Sequence, residues 1–298
     1  MNRKTQLINF IIIFLNLMSP LISFAQPFVD PLNIKFQNFP KQPYAHDANN
    51  RVKSNLFEAT ILLPFVLKSK DVVLVIADAT KINFNASGSY SASATLYSTS
   101  FAVGYDHQWK KEKWRTLALL IPKINSDYKN ISSEDFQIGG AVLVNYKKND
   151  HLKYHFGAYY NREFFGDFFV PLLGIEWKIN DRMNLFGDLP SIMNFEYKVS
   201  KKLYAGAVYQ SFLSTYRLSG GNYVRQGDTF LGDNRLKAYL NIYFARHFVV
   251  FVEAGQTLYR MFNFYDKNNN LRNSNSVFRK SNDGMFFTTG LAYRIRLD

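Results

Sequence analysis

No cysteine occurs in the 298 residues. That excludes a disulfide scaffold, a thiolate metal site, a cysteine nucleophile and a lipid anchor on cysteine. Beyond the first two dozen residues no apolar run reaches the roughly 18–20 residues of a spanning helix, so a helical membrane protein is excluded. Acid is scarce: 23 Asp+Glu stand against 36 Lys+Arg, a formal charge of +13. The basic excess carries no RNP-like or basic-helix motif, which argues against nucleic acid and leaves anionic lipid head groups as the natural partner. What is abundant is aromatic: 17% of the chain, with 28 Phe and 19 Tyr, at a mean hydropathy of −0.19. A hydrophobic share of 47% excludes global disorder.

The first residues read as a targeting segment. Asn2-Arg3-Lys4 opens with positive charge, Leu7 to Leu17 is apolar, Ser19-Pro20 breaks it, and Ser23-Phe24-Ala25 puts small residues at −3 and −1 before Gln26. This three-part layout predicts a secretory signal peptide over 1–25, cleaved after Ala25, with residues 26–298 as one exported domain.

Along that domain the apolar period is two almost throughout. In Phe136 to Lys147, residues Phe136, Ile138, Val142, Val144 and Tyr146 share one face, and Gln137, Ala141, Asn145 and Lys147 the other. In Arg235 to Ala245, residues Leu236, Leu240, Ile242 and Phe244 oppose Arg235, Lys237, Tyr239, Asn241 and Tyr243. Strands of this kind build either a soluble sandwich or a membrane barrel. Three features favour the barrel. The less apolar face is rich in Gly, Ala, Ser, Asn and single charges, which suits a lumen. Aromatics gather near segment ends, where interfacial girdles sit: Tyr105, Trp109, Trp114, Tyr146, Tyr154, Trp177, Tyr197, Tyr204, Phe244, Phe248 and Tyr293. Connections alternate short (110–113, 148–150, 180–182, 201–202, 246–247) and long (126–135, 163–169, 219–234, 263–283). Outer-membrane barrels pair short periplasmic turns with longer extracellular loops. Thirteen segments read as strands, near 54–67, 72–85, 97–109, 114–125, 136–147, 152–163, 170–179, 183–189, 192–200, 203–218, 235–245, 248–262 and 284–297, and bacterial barrels use even counts. Adding Leu32 to Phe39, so that 26–52 holds a first strand and a loop, gives 14. Discounting the weak 183–189 segment instead gives 12.

The fold class is therefore all-β, a transmembrane antiparallel up-and-down barrel of about 12–14 strands. With the segment ending SFAQ, the strand rhythm and the closing GLAYRIRLD, the chain resembles a Gram-negative outer-membrane β-barrel from one of the families known only as domains of unknown function. The resemblance implies an outer-membrane location, contact with outer-membrane lipids and lipopolysaccharide, and insertion by the barrel-assembly machinery through the C-terminal strand. That strand usually ends in an aromatic residue; here Leu297-Asp298 takes its place.

Catalytic signals are sparse. The histidines are His46, His107, His151, His155 and His247, and no two stand at i,i+2. His151 and His155 are i,i+4, with His151 at a turn, and read as structural. Asp106 and His107 are neighbours and so point to opposite faces of a strand. Asp266 to Asn270 opens like a calcium loop, but Leu271 and Val277 stand where Gly and a bidentate Glu are required. No cofactor, metal or catalytic residue is assigned, and the chain reads as a non-enzyme.

The charges on the alternating faces say more. Glu58, Glu176, Lys178, Glu196, Lys198, Arg235, Lys237, Glu253, Arg294 and Arg296 fall on the inward face, because lipid-facing charge costs roughly 2–4 kcal/mol near the midplane. They form either a self-neutralising network or a selectivity ring, and their mixed signs favour the network. The expected function is a narrow, porin-like passage for small solutes. A plugged structural or adhesion barrel is the alternative, and a rim-site lipid enzyme the more distant one.

Overall fold

The computed structural model describes residues 27–44, 47–87, 92–109, 112–227, 232–260, 262–270 and 283–297; the expected signal segment and His46 lie outside them. The described residues form strands β1 (Phe28–Tyr44), β2 (Asp47–Val66), β3 (Val72–Ser87), β4 (Ala92–Gln108), β5 (Trp114–Ser126), β6 (Phe136–Asn149), β7 (Leu152–Glu163), β8 (Gly166–Lys178), β9 (Met183–Leu189), β10 (Ile192–Lys198) and β11 (Leu203–Phe212). There follow β12 (Ser214–Arg217), β13 (Tyr223–Gln226), β14 (Asp233–Tyr243), β15 (Phe248–Tyr259), β16 (Phe262–Tyr265) and β17 (Met285–Arg296).

Fourteen of these strands make a closed antiparallel wall. Each pairs with the next, β11 passes directly to β14 and β15 to β17, and β1 closes the ring by pairing with both β2 and β17. Phe36 shows the closure, opposite Phe57 on one side and Thr289 on the other. Closure leaves no wall edge, so every strand satisfies its backbone groups laterally, as a bilayer requires. The even count is the one that includes Leu32–Phe39, and 183–189 is a wall strand as well.

Alternation is nearly strict where it was legible. In β14 the odd residues from Arg235 to Tyr243 are buried or inward, while Leu236, Ala238, Leu240 and Ile242 are exposed. The outward set forms a continuous apolar belt including Phe57, Ile61, Val103, Leu120, Val142, Leu240, Val252 and Leu291, with Phe169 and Leu173 two-thirds exposed. A water-soluble sandwich would bury such a face, and exposed apolar patches of this extent mark a surface made for another apolar phase. Among the described residues no helix is long and apolar enough to cross a membrane.

The wall is uneven. β1 to β4 run 16–20 residues, whereas β9 and β10 have 7 each. Fourteen strands spaced about 4.8 Å and tilted about 40° give a backbone diameter of roughly 28 Å, too wide for wall side chains alone to fill. The chain fills part of it with β12, β13 and β16, a three-stranded inner sheet in that order, drawn from the connections after β11 and β15. Its Tyr216, Val224 and Phe262 pack on Val52, Leu56, Ile82, Phe84 and Leu96 of the tall β2–β4 wall.

Three expectations need correction. The segment 203–218 is not one strand: it leaves the wall after Phe212 and turns inward as β12. The connection 163–169 is not long, because Glu163 pairs with Gly166 and β7 and β8 form a tight hairpin. Tyr204 is not in a girdle. It is inward and buried with Tyr243, Val249, Phe251 and Ala292, because its register partner Asn241 is inward too.

Candidate functional site

The lumen is the one interior that the fold creates, and its contents follow from the inward positions of each strand. At the long-loop end the inner sheet is anchored on the side opposite its apolar contact. Glu163, at the end of β7, is buried. It accepts hydrogen bonds from the Thr215 backbone N–H (3.1 Å), the Thr215 hydroxyl, Gln137 Nε2 (3.3 Å) and Asn161 Nδ2 (2.5 Å), and it pairs with Lys123 (3.2 Å). Asn125 Nδ2 donates to the Thr215 carbonyl at 3.1 Å. Outside this knot Arg217 pairs with Glu134 and Asp135, and Ser219 donates to Asp127. The inner sheet thus reaches from the β2–β4 wall to the β5–β7 wall. These bonds to one buried carboxylate fix the sheet's position.

Beneath the inner sheet lies a cavity of about 210 Å³ bordered by Lys35, Glu58, Gln210, Tyr216 and Arg235. Lys35 and Glu58 pair across β1 and β2 at 2.6 Å. Arg235 lies between the rings of Phe39 (4.7 Å) and Phe212 (4.4 Å), pairs with Asp233 at 2.9 Å and donates to Gln37 at 3.2 Å. Phe39 stacks on Phe286 at 5.1 Å. This side of the lumen is filled, and the filling continues towards the short-turn end. Arg294 covers the Phe28 ring at 3.6 Å and pairs with Asp30 at 2.6 Å. Arg296 covers Tyr204 at 4.0 Å and pairs with Glu196 at 2.7 Å. Phe28 meets Phe186 of β9 edge-on.

The other side is open. A cavity of about 560 Å³ sits at the short-turn end against β2–β7, bordered by Lys68, Lys70, Asp106, Glu112, Lys113, Arg115, Asn145, Lys147 and Lys153. On the outward side of the same end Asp71, in the turn after β2, accepts from the Gln108 backbone N–H (2.8 Å), the Tyr105 hydroxyl (2.7 Å) and the Ser69 hydroxyl (2.8 Å), with His107 at 3.1 Å. These donors, the Gln108 N–H above all, hold the Asp71 carboxyl well below the usual carboxylate range.

Each of the ten anticipated charges has an inward or rim position. Glu58, Glu196, Arg235, Arg294 and Arg296 are paired as above. Lys237 and Glu253 pair with each other at 2.9 Å. Glu176 pairs with Lys153 at 3.0 Å, Lys178 with Asp181 at the rim at 3.2 Å, and Lys198 lies over the Tyr204 ring. Opposite charges on neighbouring strands meet at many depths, and the ten are not gathered at one level. Asp30, Lys35, Asp106, Arg115, Lys123, Lys153, Glu163 and Asp233 belong to the same system and were missed. Lys35 and Lys153 were readable from alternation; the others sit at strand ends or in segments whose period is blurred.

Two Asp–His pairs form between residues distant in sequence, His107 with Asp71 and His155 with Asp188 (3.0 Å). His155 is buried, and its Nε2 has no hydrogen-bond partner, so no hydroxyl is placed for activation by this pair. Among the described residues no group of three His, Asp or Glu could hold a metal ion. Asp266 folds its loop on itself, accepting from the N–H groups of Asn268 and Asn270 at 2.8 Å.

The family described as Domain of unknown function (DUF6268) matches residues 24–294. No curated protein matches the chain. Among solved structures, the COG4313 outer membrane channel from Pseudomonas putida F1 is similar with a TM-score of 0.51 and 8% identity, over 93% of this chain and 100% of that one. The NanC porin gives a TM-score of 0.37 at 9% identity, covering 89% of this chain and 100% of its own. The translocator domain of autotransporter NalP from Neisseria meningitidis gives 0.36 at 11%, covering 92% and 91%. At these identities the likeness is one of fold, that of the outer-membrane barrels.

Proposed function

The chain belongs to the DUF6268 family, and from the lumen's geometry we propose that it is an outer-membrane channel of narrow bore for small hydrophilic solutes. The observation that carries the reading is the division of the lumen. A barrel this wide is filled on one side by paired charges and aromatics, narrowed at the mouth by an inner sheet, and left at the other end with a 560 Å³ cavity lined by both charged and apolar side chains. A barrel built only as a membrane anchor has no need of so many satisfied charges; a solute path through a low-dielectric wall does. Mixed signs disfavour strong selectivity over most of the length.

In this reading the short turns face the periplasm and the inner sheet faces outward. The apolar belt contacts outer-membrane lipids and, on the outer leaflet, lipopolysaccharide. The barrel-assembly machinery engages β17, whose Tyr293 and Leu291 keep the apolar alternation. The chain acts by passage and not by catalysis.

Liposome swelling tests the reading. Purified protein reconstituted in liposomes should admit small solutes of the size of glycine and exclude a trisaccharide. Failure to admit any solute would contradict a channel and leave a structural barrel as the account.

A further inference from the structure

The 560 Å³ cavity carries an excess of positive charge. Six cations border it, Lys68, Lys70, Lys113, Arg115, Lys147 and Lys153, against two acids, Asp106 and Glu112. Four of the cations are answered locally: Lys70 by Glu112 (3.0 Å), Arg115 by Asp106 (2.8 Å), Lys147 by Asp150 (2.6 Å) and Lys153 by Glu176 (3.0 Å). Lys68 and Lys113 have no acid within ion-pair distance among the described residues. A net positive field therefore remains in this cavity, and low-dielectric walls focus it.

Two further features narrow the ligand. Val66, Leu67, Leu74, Leu117 and Leu143 give the cavity an apolar flank, which suits a short hydrocarbon body and offers nothing to a bare inorganic anion. Asn145 reaches the cavity with a buried Oδ1 that has no hydrogen-bond partner, and behind it, on the register-paired position of β7, His155 Nε2 is in the same condition. The Asn145 Oδ1 accepts only, so it calls for a donor such as a water beside the ligand.

We propose that this cavity is the solute site of the channel and that it takes small aliphatic carboxylates, the carboxylate held by Lys68 and Lys113 and the carbon chain lying on the leucine flank. The proposal rests on the channel reading, and its tests separate the two. In planar bilayers under a tenfold KCl gradient, the wild-type reversal potential should show a chloride-to-potassium permeability ratio of about 2 or more. The double variant Lys68→Glu/Lys113→Glu should bring the ratio to one or below, and the gentler Lys68→Gln/Lys113→Gln should fall between. Glutarate should block the wild-type chloride current, and inorganic phosphate at the same concentration should block less. Both variants must show the wild-type shift on an unboiled gel.

Calorimetry with glutarate on the detergent-solubilised barrel gives a readout independent of current, and affinity should fall by about tenfold or more in the double Glu variant. Cation preference in the wild type, or selectivity unmoved by either variant, would overturn the proposal. Equal block by phosphate and glutarate would overturn the carboxylate assignment. No current together with glutarate binding that the variant loses would sink the channel reading and keep the site. No current and no binding would end both.

Discussion

Val142 and Asn145 are three residues apart in β6 and face opposite media, so one substitution at both positions tests the register and the embedding together. Val142 is the seventh residue of a 14-residue strand, half-exposed on the apolar belt, and opposite Ala118 and Ala158. A lysine there points into lipid near the midplane, at a cost of about 2–4 kcal/mol. At about 1.4 kcal/mol per tenfold, the folding equilibrium falls by roughly thirty- to several hundred-fold. Asn145 borders the large cavity, which has room for a longer chain. A lysine there meets Arg115, Lys147 and Lys153 through water, and like charges about 7 Å apart in a high-dielectric medium repel by less than about 1 kcal/mol. Val142→Lys should therefore lower the urea midpoint of the liposome-reconstituted protein far more than Asn145→Lys, read by the unboiled-gel shift and by tryptophan fluorescence. Equal losses would refute the assignment of faces. A larger loss for Asn145→Lys would mean that the barrel is not embedded through this belt.

Asn241 is also inward but is buried beneath Tyr204, so Asn241→Lys should overpack the lumen and cost about 1–3 kcal/mol in the same titration. Glu163→Ala removes the acceptor that holds Thr215 and leaves Lys123 buried without its partner, a loss of about 3–5 kcal/mol; limited proteolysis should then cut between 213 and 227 while the wall stays intact. Asp71→Asn tests the rim. Because the folded carboxyl titrates below its unfolded value, its contribution is present above about pH 4 and fades as pH falls through the folded value. Thermal midpoints of wild type and Asp71→Asn should differ at pH 7 and converge in strong acid.

The wall was legible because lipid and lumen enforce opposite preferences on alternate residues. Where both preferences were strong, as in β6 and β14, the register could be read residue by residue, whereas the parity of the count was met equally by adding Leu32–Phe39 or by dropping 183–189. The inner sheet was not legible. Tyr216, Val224 and Phe262 are apolar residues in short segments, and nothing local distinguishes a strand that lines the lumen from one that continues the wall. Tyr204 was misplaced for the same reason: an aromatic near a strand end suits a girdle or a lumen equally, and only the register with Asn241 decides. The charges were legible as a class but not as pairs. Asp30 meets Arg294, and Glu196 meets Arg296, only because the ring closes. The positive cavity draws on six strands and two turns, none of which carries a motif.

An inner sheet narrows an otherwise wide barrel. Single-channel conductance tests it directly, comparing the full chain with a variant in which 214–226 is replaced by a short Gly-Ser linker. The full chain should give small, reproducible steps and the variant steps several-fold larger, with the wall unchanged on an unboiled gel. Equal step sizes from the two proteins would contradict it.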